Sequence, residues 1–166
     1  MSEASHGHIV AGLYFWEGSK FREQNAEPHD GSDLRLGSDA AAFGSMRGSR
    51  LWVFTRDDEG SYVLAATAMV DRTEGPSASY QHVMVAVPGS TRRFRMIENP
   101  TRSVEGVIRS LAIFDGRTPK GALGNLFQGL NHFRAISVED DQKLEEFASA
   151  LKPAASGRWR FQGMPL

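Results

Sequence analysis

The sequence predicts an α+β domain in which a small, strongly bent mixed β-sheet is surrounded by helices. Between Arg50 and Asp71, two runs rich in aromatic and β-branched residues, Leu51-Trp52-Val53-Phe54-Thr55 and Tyr62 to Val70, flank the polar turn Asp57-Asp58-Glu59-Gly60-Ser61. This is a hairpin signature, with a glycine able to take positive φ at the turn. Strand-like runs fill the first part of the chain, whereas apolar residues at helical spacing fill the part after residue 100. A third signal is the period of two over Arg92 to Ile97, where Arg93 and Arg95 alternate with Phe94 and Met96, as in a half-exposed strand with its arginines on one face.

The elements follow in order. His8 to Trp16 is a nearly continuous apolar run and predicts a first strand buried on both faces. The polar stretch that follows, with Pro28, Gly31 and Gly37, is long for a loop in a compact domain. A helical turn is expected near Asp39 to Phe43, and the hairpin begins at Arg50. Gly, Pro and Ser cluster in the connector Arg72 to Ser79, and His82 to Val87 forms a strand that Pro88 stops. Asn99-Pro100-Thr101-Arg102-Ser103 supplies helix-start signals for the stripe Val104, Val107, Ile108 and Leu111. A second, glycine-weakened helix runs from Pro119 through Leu123, Leu126, Phe127 and Leu130. The clearest helix has Ser137 as N-cap, Glu139, Asp140 and Asp141 in its first turn, and Leu144, Phe147, Ala148 and Leu151 as its buried stripe. Arg158 to Phe161 alternates again and reads either as a closing strand or as a frayed end.

A chain of 166 residues fits one domain over 1–166, with 1–7 and 153–166 as flexible tails. The absence of cysteine excludes disulfides, thiolate metal sites and thiol catalysis, and it suits a cytoplasmic protein. No apolar run approaches the ~20 residues of a membrane span. The net charge of -1 hides an uneven distribution, because Arg92, Arg93, Arg95, Arg102, Arg109, Arg117 and Lys120 face only Glu98, Glu105 and Asp115. Such a segment reads either as an anion-binding face or as a solvated, arginine-rich surface.

Catalytic and metal signatures are absent from the sequence pattern. His6-Gly7-His8 lies at a terminus, and His29-Asp30 and Asp33 do not have the spacing of a facial triad or zinc hydrolase. The glycine-serine pairs form no nucleophile elbow, and no phosphate-loop lysine follows a glycine-rich turn. No cofactor is expected. An enzyme using His82 or His132 as general base stands as a third class of reading, needing a carboxylate partner in a pocket.

Gly48 to Arg56 leading into Tyr62 to Val70, together with His132-Phe133-Arg134-Ala135-Ile136-Ser137-Val138-Glu139-Asp140-Asp141, resembles the PUA-like superfamily of EVE, YTH and ASCH domains. The chain departs from the EVE pattern near its start, where Trp16-Glu17-Gly18-Ser19-Lys20-Phe21 replaces a Lys-x-Glu-Pro-like sequence. The resemblance implies a PUA-like barrel and a nucleic-acid partner, DNA or RNA, in some settings beside a nuclease. It also implies a pocket for a modified or flipped base. Aromatic walls would then come from Tyr14, Trp16, Trp52 and Phe54, polar readers from Ser19, Asn25 and Thr55, and phosphate contacts from Arg92, Arg93 and Arg95. Each has a plainer reading: the two aromatic pairs as core, Ser19 as a helix cap, and the whole chain as a protein-interaction or regulatory domain.

Overall fold

The strands β1 (Ala11–Trp16), β2 (Arg35–Ser38), β3 (Arg50–Arg56), β4 (Tyr62–Glu74), β5 (His82–Ala86), β6 (Arg92–Arg93) and β7 (Phe133–Ile136) form one mixed sheet in a computed structural model. It describes residues 9–16, 33–57, 60–94, 103–114, 121–128 and 132–151. The order is β2-β5-β4-β3-β1-β7, with β6 paired to β4 beside the path. β1 runs parallel to β3, and the other pairings are antiparallel.

The sheet curls strongly into a half-barrel, as the sequence led us to expect. Irregularities between Val53 and Phe54 and between Val70 and Arg72 break the register on both sides of β4. An extra residue at such a point bends the strand and sharpens its twist. β4 is long enough to serve two partners in succession, β3 along Tyr62 to Met69 and β5 along Val70 to Glu74. At the hairpin tip Gly60 has φ of 88°, and the Ser61 N–H donates to Asp57 Oδ1 at 2.8 Å. A side chain there would be strained by the left-handed backbone.

The pleat sends alternate residues to two separate cores. On one face Leu13, Phe15, Trp52, Phe54, Tyr62 and Leu64 pack with α1 (Glu105–Arg109), α2 (Leu123–Gln128) and α3 (Val138–Ser149). On the other, Tyr14, Trp16, Leu51, Val53 and Phe133 close around Phe43 and Met46, carried by and just after the 3-10 turn Ala41–Ser45. α3 begins as expected: the Ser137 hydroxyl accepts from the Asp140 N–H at 3.1 Å.

Two strands differ from the sequence reading. β2 lies within the stretch read as polar loop, where Leu36 alternates with glycine and short polar residues; its pairing to β5 makes it a strand. β7, read only as the approach to the last helix, adds antiparallel to β1. The helix expected through Leu111 stops at Arg109 and gives way to the 3-10 segment Ala112–Phe114. The alternating stretch at 158–161 lies outside the described residues, as do His6, His8 and His29. No described helix is long and apolar enough to cross a membrane.

Candidate nucleic-acid interface

The structure does not gather Tyr14, Trp16, Trp52 and Phe54 around one hollow, and the expectation of a shared aromatic mouth is corrected. In the parallel register of β1 and β3, Tyr14 lies beside Val53 and Trp16 beside Thr55, while Trp52 lies beside Leu13 and Phe54 beside Phe15. Because neighbours in register share a face, the two aromatic pairs point to opposite sides of the sheet. All four rings are buried, Trp52 and Phe54 completely. The Tyr14 hydroxyl donates to the Gly37 carbonyl at 2.8 Å, and the Thr55 hydroxyl donates to the Trp16 carbonyl at 2.6 Å. Thr55 is buried and joins β3 to the end of β1. Ser19, Asn25 and Arg95 lie outside the described residues.

Burial raises the Tyr14 pKa well above the ordinary phenol value, and the neighbouring Tyr80 adds to the effect. The protein therefore favours the neutral phenol. Its contribution to stability is whole below about pH 10, the unfolded value, and is lost as pH rises through the folded one. Chemical denaturation across the alkaline range should show wild type losing stability relative to Tyr14→Phe above about pH 10. Parallel curves would contradict the burial of this hydroxyl.

The two adjacent arginines of the basic segment, Arg92 and Arg93, also part company. β6 pairs Arg92 with Thr67 and Arg93 with Ala66, so consecutive arginines take opposite faces. Arg93, expected on an exposed face, is only 6% exposed. Its guanidinium acts on Asp33, whose carboxyl burial tends to raise; the Gly89 N–H, the Thr91 hydroxyl and N–H, and the Arg93 charge outweigh this and hold it below the usual range. Asp33 itself accepts from the Gly89 N–H at 2.9 Å.

Arg92 takes the other direction and reaches a site whose remaining members come from β3 and α3. Trp52, Thr67 and Arg92 stand in register straight across β3, β4 and β6. Thr67 is short, and Arg92 leans over it to lie 5.9 Å from the Trp52 ring and 5.8 Å from the Phe94 ring. Arg50, two residues before Trp52 on the same strand face, lies 5.4 Å from the indole. From α3, Asp141 and Glu145 are one turn apart and face this side together. The Trp52 indole N–H donates to Asp141 Oδ1 at 2.7 Å, and Arg50 Nε is 3.4 Å from the same oxygen.

Both guanidiniums converge on Glu145. Its Oε1 receives Arg50 at 2.6 Å and Arg92 at 3.0 Å, and its Oε2 lies 3.4 Å from the second Arg92 nitrogen. The Arg92 side chain is 46% exposed and that of Glu145 40%, so this junction is open to solvent. Both guanidiniums lie within cation–π distance of the Trp52 ring, and the arginine fork suits an oxyanion.

Sequence reading found Arg92 and Trp52 but missed Arg50, Asp141 and Glu145. Arg50 and Trp52 share a strand face by their i, i+2 spacing, which was a usable signal. Asp141 was read as first-turn charge, and only tertiary contact reveals its indole partner. Of its neighbours, Glu139 is exposed, while Asp140 is fully buried and accepts from the Ala112 N–H at 2.8 Å. His82 packs its ring against Gly44, and His132, at φ of 66°, joins α2 to β1 through its backbone. No group of three potential metal ligands occurs among the described residues. No family model, curated protein or solved structure matches the chain.

Proposed function

We propose that this protein binds nucleic acid through phosphate contacts made by Arg50 and Arg92 on the face where β3, β6 and α3 meet. One observation carries the reading: two guanidiniums from different strands, each within cation–π distance of Trp52, converge on a single oxyanion position that is open to solvent. Phosphate oxygens accept from such a pair as a carboxylate does. The resemblance to PUA-like domains points to the same class of partner. Reading of a modified base would fall to groups other than the buried rings of Trp52 and Phe54.

The test is fluorescence polarisation with labelled single-stranded and duplex DNA and RNA over a range of salt. Arg92→Ala is expected to weaken binding evenly across sequences and to reduce the slope of log affinity against log salt by about 1. A titration flat at low salt for every nucleic acid would end the reading. It would then favour a protein partner, for which Met69 and Val87, exposed and joined by the Val87 N–H to Met69 carbonyl bond, offer an apolar contact beside Arg50.

A further inference from the structure

From the same junction we infer that Glu145 is a built-in competitor for the phosphate position, so that the free protein is held in a self-occupied state. The inference rests on the nucleic-acid reading and goes beyond it, because it assigns a regulatory contact to a residue of α3.

The geometry is that of a ligand already in place. Glu145 offers both oxygens to Arg92 and one of them also to Arg50, which is how a phosphate group bridging two arginines would be held. Asp141 has a separate role, since its oxygen receives the buried indole N–H and fixes α3 on the sheet. Glu145 lies one turn further along and contacts only the guanidiniums of Arg92, exposed, and Arg50, half-buried, in the described bonds. Its carboxylate can swing away while Asp141, Leu144 and Ala148 keep the helix docked. An incoming phosphate would take over these hydrogen bonds, and Glu145 would move into water. Affinity for the polyanion is then reduced by the fraction of molecules in which the arginines are occupied.

Glu145→Gln keeps the shape and removes the charge. Glu146→Gln removes the same charge from the next position, an exposed residue whose carbonyl accepts from the Ser149 hydroxyl. With a labelled single-stranded oligothymidylate at low salt, Glu145→Gln is expected to bind about tenfold tighter than wild type, the gain for an arginine pair nine-tenths occupied. Glu146→Gln is expected to gain far less. Equal gains in the two variants would reduce the effect to net charge, and no gain in Glu145→Gln would remove the competitor; either result overturns the inference. Glu145→Ala repeats the measurement should the glutamine variant fold poorly, and a loss of affinity in both has the same consequence. The underlying reading is tested separately by Arg92→Ala. If Arg92→Ala weakens binding while Glu145→Gln leaves it unchanged, only the competitor falls. If no variant binds, both fall.

Discussion

Trp52→Ala is expected to destabilise the protein by about 3–5 kcal/mol, the usual cost of deleting a large buried ring. Trp52 is fully buried in the centre of the helix-covered core, and its loss strips three groups at once. Asp141 loses the donor at 2.7 Å, and Arg50 and Arg92 lose the ring within cation–π distance of them. Since a domain of this size is stable by only about 5–15 kcal/mol, the variant sits near the limit of folding. Urea denaturation should show a lower midpoint with an unchanged slope. Trp52→Phe separates the contributions: it keeps most of the ring and removes the N–H, leaving Asp141 without that donor at a cost of about 1–3 kcal/mol. A loss under about 1 kcal/mol for Trp52→Ala would contradict the close packing of this ring.

The second core is closely packed at Gly12. A Cβ on Gly12 would stand 2.3 Å from Phe133 Cε1 and 2.9 Å from the Met46 methyl. Neither neighbour has room to yield: Phe133 packs edge-on against Phe43 at 5.1 Å and 83°, and Phe43 and Met46 are completely buried. Gly12→Ala is therefore expected to cost about 1–3 kcal/mol by overpacking, although alanine is ordinarily the gentlest replacement. Shortening the opposing ring should relieve it. In a double-mutant cycle, Gly12→Ala combined with Phe133→Leu is expected to lose less than the two single changes added together. Additive losses would show that the β1–β7 approach is looser than the distance implies.

Much of the fold was legible because its signals are local. The hairpin declares itself by two apolar runs around a glycine-bearing turn, and α3 by a serine cap, first-turn acids and an i, i+3, i+4 stripe. β2 and β7 were not legible. Each has four residues, too few to show a period, and each is a strand only because β5 or β1 supplies hydrogen-bonding partners. The interface divided in the same way. Composition marked the arginines, and alternation marked Trp52, yet neither could say that Arg92 and Arg93 part to opposite faces, since that depends on where β6 meets β4.

By itself, then, the sequence determined an α+β chain with a bent sheet, a capped terminal helix and a basic stretch, all of which follow from side-chain preferences over a few neighbouring residues. Only the tertiary structure decided that the four rings serve two cores and that Arg50, Arg92 and Glu145 meet. Strand register and helix docking are contacts between residues distant in the chain, and a one-residue change in either would send every one of these side chains elsewhere.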